Sequence, residues 1–218
     1  MKSAAFVVIA SIALVAWAGS PVSASDGRDI SSVNGEVNTS TGETYGTLST
    51  VNGSVHIGSG VTADRAKTVN GEIDVENNAK LGELSTVNGE LNIGDDVNIA
   101  RTASTVNGSV ELGKRTRVGG DVSTVSGEIA LRGAEVGGVV STRNGDINLT
   151  DGSRVRGGIH VKTKNDSGWS FGKDDPIKVH ICATCVVDGD LRFDRPVELR
   201  VDAGAKIGKV IGDAVTRR

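Results

Sequence analysis

The chain has little of what ordinary enzyme cores are built from. Two Trp, one Tyr and three Phe among 218 residues bring aromatics to 3%. Large aromatic faces therefore do not organise the interior. An excess of positive charge is also missing: 24 Lys and Arg stand against 27 Asp and Glu, a net charge of −3. No global field attracts nucleic acid, which is excluded as a partner. The near balance of charge, with 37% apolar residues, also argues against disorder. Catalytic signatures are missing too. No Ser-His-Asp order, no phosphate-binding Gly loop with its Lys and no singular pair of carboxylates stands out. The two cysteines form one Cys182-Ala183-Thr184-Cys185 pair. A second ligand pair for zinc is absent, Val186 follows where a haem-attachment motif needs His, and no helix is expected there to lower a thiol pKa. No cofactor and no metal is implied.

Residues 1–24 read as a signal peptide. Lys2 gives a short positive region, Ala4 to Ala18 an apolar run, and Gly19-Ser20-Pro21 a break. Val22-Ser23-Ala24 supplies the small residues of a cleavage site. The run is shorter than the ~20 residues of a spanning helix. The expectation is an exported chain, in the periplasm or at the cell surface, with no stable membrane insertion after cleavage.

What the chain has in abundance is glycine, 30 residues, and much of it is periodic. Val33-Asn34-Gly35-Glu36 returns at Val51, Val69, Val87 and Val106, then as Val125-Ser126-Gly127-Glu128 and Arg143-Asn144-Gly145-Asp146. The corner glycines are spaced 18, 18, 18, 19, 19 and 18 residues apart. Each unit divides into three sixes, with Val69, Val75, Leu81, Val87, Ile93 and Ile99 all six apart and expected to point inward at the ends of their strand triads. A six is three residues of alternating strand and a three-residue corner of Gly, Asn or Asp. So much Gly and so many β-branched residues exclude a helix. The pattern predicts an all-β fold, a single-stranded, three-sided parallel β-helix with about 18 residues per turn and about ten turns. It spans 25–212 as one domain, interrupted by a loop at 162–178 and followed by a basic tail at 213–218. Asp26 to Ile30 is a candidate cap.

The corner amides Asn34, Asn52, Asn70, Asn88, Asn107 and Asn144 are expected to form a ladder along the axis, interrupted at Ser126. Three outward columns follow from the alternation. Face one carries Thr50, Thr68, Thr86, Thr105, Thr124 and Thr142, then His160; face two carries His56, Asp74, Asn92, Glu111, Ala130 and Asn148; face three carries Thr62, Lys80, Asn98, Arg117, Glu135 and Arg154. The uniform Thr strip reads either as simple β-stacking or as a flat binding face for glycan, ice or another filament. Glu36, Glu72, Glu90, Glu128 and Asp146 share a corner and read as a solvated edge, the alternative being a divalent cation bridging Glu72 and Glu90. Cys182 and Cys185 read as a disulfide across a corner, or else as a reactive or metal-linked pair. Trp169 and Phe171 lie in the loop, either as a partner site for sugar or protein or as a plug against one face.

The [Ser-Thr]-Val-Asn-Gly-Glu-[Ile-Leu] rungs, the Val118-Gly119-Gly120-Asp121-Val122 link and the Val186-Val187-Asp188-Gly189-Asp190-Leu191 ending resemble the bacterial β-strand-repeat family of adhesin-like proteins. The rungs are also similar to those of bactofilins, which are cytoskeletal polymers and not usually exported. The resemblance covers most of 31–212 and implies an envelope or surface location with no catalytic residues. The expected function is a non-enzymatic envelope scaffold or adhesin-like surface that associates with itself or with envelope and glycan components. The alternative is an enzyme on a β-helix, a hexapeptide-type acyltransferase or a polysaccharide-active protein, recruiting His160 and His180.

Overall fold

The computed structural model describes residues 27–163 and 176–212, together with the backbone of 215–217. The segment 1–24, read above as a signal peptide, and the loop aromatics Trp169 and Phe171 lie outside the described residues. Every described element is a strand, and every strand pairing is parallel. The chain winds as a β-solenoid of about nine turns with roughly 19 residues per turn, one turn fewer and slightly wider than the repeat predicts.

Three faces are present. Face two is a ten-stranded sheet that begins at Val37–Asn38 and ends at Val215–Arg217. Faces three and one join in a second sheet of 16 strands, because the early strands Thr44–Ser49, Thr62–Lys67 and Lys80–Ser85 bend around the corner between them without interruption. The next turn gains a residue at that corner. Ile99 still pairs with Leu81, but Ala103 pairs with Leu84. Three residues, Ala100-Arg101-Thr102, now occupy the space of Gly82-Glu83. The bent strand splits there into Asn98–Ile99 and Ala103–Ser104. This accommodates 19-residue spacing without disturbing the core.

Burial follows strand alternation on faces two and three. Ile73, Val75, Leu91, Ile93, Val110 and Leu112 point inward, while Asp74, Asn92 and Glu111 point out and stand in register. Thr62, Lys80, Asn98 and Arg117 likewise align on face three. The interior is a continuous aliphatic column with two aromatics, Tyr45 near one end and Phe193 near the other.

Face one differs from the sequence expectation by one residue. Leu84 and Thr86 are buried, whereas Ser85 and Val87 are the outward pair. A one-residue slip exchanges every side chain between faces. The Thr residues therefore form no outer strip: Thr50, Thr68, Thr86, Thr105, Thr124 and Thr142 are all buried. Val69 and Val87, expected inside, sit half-buried on the surface. His160 stacks on Ser141 and so belongs to the Ser column, while Thr142 stacks on Val161.

The cause of the slip lies at the Asn-Gly corner. Each Thr hydroxyl donates to the carbonyl of the corner glycine in the preceding turn: Thr50 to Gly35, Thr68 to Gly53, Thr86 to Gly71, Thr105 to Gly89 and Thr124 to Gly108, at 2.9–3.0 Å. An inward Thr thus fills core volume with its methyl and satisfies a buried carbonyl with its hydroxyl. A Val at that position would do only the first. The corner also requires glycine for close approach. A Cβ on Gly89 would run into the carbonyl oxygen of Gly71 beneath it.

Two boundaries also differ. Strand Ile177–Ile181 resumes the stack, so the described chain re-enters the fold one residue before the expected loop end. Val197 and Leu199 pair with Val215 and Arg217. The segment read as a basic tail thus contributes a last rung to face two. At the other end, Arg28–Ser31, which overlaps the candidate cap, pairs with Thr44–Ser49 as the first rung. The Asp29 carboxylate accepts from the Thr47 amide at 2.6 Å.

Candidate functional site

The exposed polar groups converge on the seams between turns. At the corner between faces one and two, Asn52 donates to Asn34, Asn70 to Asn52, Asn88 to Asn70 and Asn107 to Asn88, at 2.8–3.0 Å. The ladder stops at Ser126. Asn144 continues the backbone bridge through Ser126 but stands outside the amide run. The same interruption shows two residues before Asn144: the buried hydroxyl of Thr142 has no hydrogen-bond partner, unlike its counterparts in earlier turns.

Beyond Asn144 a different device takes over. The carbonyl of Val125 accepts from the Asn144 amide, as each preceding Val carbonyl accepts from the next corner. The carbonyl of Arg143 instead accepts from the Arg195 guanidinium at 3.0 Å, across 52 residues of sequence. Asp146 accepts from the Lys178 amide at 2.8 Å. Two side chains thereby tie the corner column to the turns that follow the 164–175 interval.

The histidines are part of the same bracing. His160 lies 2.8 Å from Asp194 in the next turn, and Arg192 approaches the other oxygen of that carboxylate at 3.1 Å. His180 repeats the arrangement on face two. Its Nε2 lies 3.1 Å from Asp202, whose second oxygen accepts from Arg200, and its Nδ1 lies 3.1 Å from Asn148 in the turn before. The two clamps share one design, a His stacked on the Arg of an Arg-x-Asp triplet. The hydrogen bonds from His160 and then Arg192 hold Asp194 below the usual carboxylate range. His180 and then Arg200 do the same for Asp202. His56, near the other end, has a simpler contact with Asp74 at 3.0 Å.

Cys182 and Cys185 are joined as a disulfide at the corner after Ile177–Ile181. The turn is closed by the Cys185 amide donating to the Cys182 carbonyl at 2.9 Å. Face three carries inter-turn ion pairs: Arg154 with Asp188 at 2.8 Å, Arg115 with Asp96, and Arg156 with Glu135. These are exposed, and each adds little alone.

The acidic corner column is where like charges meet. Glu72 and Asp74 both accept from the Asn92 amide, at 2.9 and 3.2 Å. Sharing a hydrogen bond with Asp74 and partial burial push Glu72 above the usual carboxylate range. No group of three or more His, Cys, Asp or Glu among the described residues is arranged to hold a metal ion. Two open grooves flank these features. One, of about 390 Å³, runs past Asp74, Glu76, Asn92, Asp95, Glu111 and Arg132. The other, of about 750 Å³, lies at the last turns beside Arg192, Phe193, Arg195, Pro196 and Ile211.

Sequence reasoning located the amide corner and both outer columns of faces two and three. It missed the Thr-to-Gly bonds, the paired Arg-x-Asp clamps and the Arg195 cap. The clamps had a visible signal, Leu191-Arg192-Phe193-Asp194 and Leu199-Arg200-Val201-Asp202, once the turns are aligned. No protein-family model, curated protein or solved structure matches the chain.

Proposed function

We propose that this chain is an exported, non-catalytic β-solenoid that works as an envelope scaffold or adhesin-like binding rod and associates with copies of itself or with envelope and glycan components. One observation carries the reading. The groups with most chemical potential, all three histidines and their aspartates, are spent on contacts that hold turns together. A rod so braced is suited to presenting surface over length rather than to moving substrate through a cleft. The proposal of self-association draws on the ends. Among the described residues, the large hydrophobic side chains most open to solvent are Val33 (53%) and Ile211 (47%), one in the first turn and one in the last.

The test starts from cells expressing the full-length gene. Fractionation is expected to recover the protein from the envelope or periplasm, with a processed N-terminus. The purified protein is expected to bind glycans on an array or to form elongated assemblies by electron microscopy. A protein retained in the cytoplasm, or one turning over acyl donors or polysaccharides in a manner lost on His160→Ala, overturns the reading.

A further inference from the structure

The corner between faces one and two carries six Asn-Gly pairs: Asn34-Gly35, Asn52-Gly53, Asn70-Gly71, Asn88-Gly89, Asn107-Gly108 and Asn144-Gly145. Asn-Gly is the dipeptide most open to loss of ammonia from the Asn side chain, because glycine has no Cβ to shield the backbone nitrogen that attacks. All six asparagines are exposed. Exposure does not separate them, but hydrogen bonding does.

The attack needs two freedoms. The side-chain amide must rotate until its carbon meets the next backbone nitrogen, and that nitrogen must give up its proton. The stack restrains both in the regular turns. The side chains from Asn34 to Asn107 are tied into the amide ladder. The amides of Gly35, Gly53, Gly71, Gly89 and Gly108 each donate to the corner carbonyl one turn on, at 2.9–3.0 Å. Asn144-Gly145 has neither restraint. Ser126 stands beneath it with no side-chain amide to offer. Among the described residues, the Asn144 side chain has no hydrogen-bond partner and the Gly145 amide has no acceptor.

The sequence gives the reason. Ile147 pairs with Val179, so counting back puts Pro176 at the place of the next corner asparagine. Proline has no side-chain amide to extend the ladder and no N–H to continue the bridge. The carbonyl of Arg143, which that N–H would have met, is the one Arg195 caps. The run of corner bridges accordingly ends at Asn144.

We infer that Asn144 is a deamidation site of the folded chain, singled out from five other Asn-Gly pairs by the end of the ladder. The Gly145 nitrogen bonds to Cγ of Asn144 as the Cγ–Nδ2 bond breaks, and the Gly145 amide proton leaves with that nitrogen as ammonia. Water then opens the five-membered imide at either carbonyl, restores the Gly145 N–H and yields aspartate or isoaspartate. Nothing is oxidised or reduced, and water is the co-reactant. Aspartate adds a negative charge two residues from Asp146. Isoaspartate inserts a carbon into the main chain at the residue whose amide and carbonyl bond Val125 and Gly127. The modification therefore falls on the joint between the regular turns and the later ones.

Ageing of the full chain tests the inference. The folded protein is held at mildly alkaline pH, sampled over days and digested with pepsin in acid, which halts the reaction, and each Asn-Gly peptide is weighed. Asn144 is expected to convert about tenfold faster than Asn52, Asn70 or Asn88, the effect of two ordinary hydrogen bonds lost. Asn107, which donates to Asn88 but receives no amide from Ser126, is expected to fall between. In denaturant the six rates are expected to draw together, which separates the fold from the effect of Arg143 standing where the other pairs are preceded by Val. Ser126→Asn, which puts an acceptor beneath Asn144, is expected to slow its conversion. Equal rates at Asn144 and Asn70 in the folded chain, a difference undiminished in denaturant, or an Asn144 rate unmoved by Ser126→Asn overturns the inference. It does not rest on the proposed function, and the two stand or fall separately.

Discussion

The turns before Ser126 and those after Asn144 solve the same problem in different ways. The earlier turns repeat one neutral device: an amide ladder at the corner and a Thr hydroxyl closing each glycine carbonyl. The later turns share no such repeat. They rely on His-over-Arg-x-Asp clamps, the Arg195 cap and a disulfide. The comparison teaches that a solenoid keeps identical side-chain bonds only while its period is kept. Backbone pairing tolerates a jump from 18 residues to 32 between paired positions, as between Asn148 and His180. A ladder of short amides does not, because each needs its copy directly beneath it. Long, charged side chains span the irregular interval instead.

The sharpest way to break this comparison is one substitution made on both sides. Thr86→Val removes a hydroxyl and orphans the Gly71 carbonyl, so it is expected to cost about 1–3 kcal/mol. Thr142→Val removes a hydroxyl that has no partner, and is expected to be neutral or slightly stabilising. Paired chemical denaturation curves measure both, and equal losses at the two positions contradict the account of the Thr column.

A smaller effect follows from repairing the interruption. Ser126→Asn places an amide between Asn107 and Asn144, both of which are one turn away. The gain expected is about 0.5–1.5 kcal/mol, the net worth of a typical added hydrogen bond, seen as a raised thermal midpoint. An unchanged midpoint would show that the corner has relaxed around serine.

The smallest effect is electrostatic and has opposite signs in the two regions. Asp194 and Asp202 titrate below the ordinary value in the folded chain because His and Arg bond their ionised forms. Their contribution is complete above the unfolded aspartate value of about 3.9 and disappears as pH falls through the depressed folded values. Glu72 is raised by Asp74. Its contribution is complete below the unfolded glutamate value of about 4.3 and disappears as pH rises through the folded value. Acid therefore loosens the later turns while relieving repulsion in the earlier ones. Amide exchange protection, corrected for intrinsic rates and mapped at pH 3 and pH 6, is expected to fall around residues 191–202 and not around 72–92.

How far the sequence carried depended on whether a feature was local to one turn. The amides of the corner were legible because Asn-Gly recurs at a fixed interval and stacking follows from recurrence alone. The columns of faces two and three were legible because Ile-Asp-Val and Leu-Asn-Ile have one reading under strand alternation. Face one was ambiguous. Leu84-Ser85-Thr86-Val87 offers an apolar residue at each end, and counting in sixes favoured Val87 over Leu84. The deciding factor was a carbonyl in another turn, which no count along the chain reveals. His160 and His180 were noticed as bracketing the loop, but their carboxylate partners lie 34 and 22 residues away across an interval whose register the repeat does not supply.

By itself, then, the sequence determined that the chain is an all-β solenoid and where its corners fall, because a repeating pattern of strand triads and glycine turns admits one economical way to bury its aliphatic residues. Only the tertiary structure decided which side of face one is outside, what closes the interrupted ladder and how the stack resumes beyond the irregular interval. Those outcomes depend on backbone groups meeting side chains from neighbouring turns, and such meetings are set by the stacked register rather than by the order of residues within a turn.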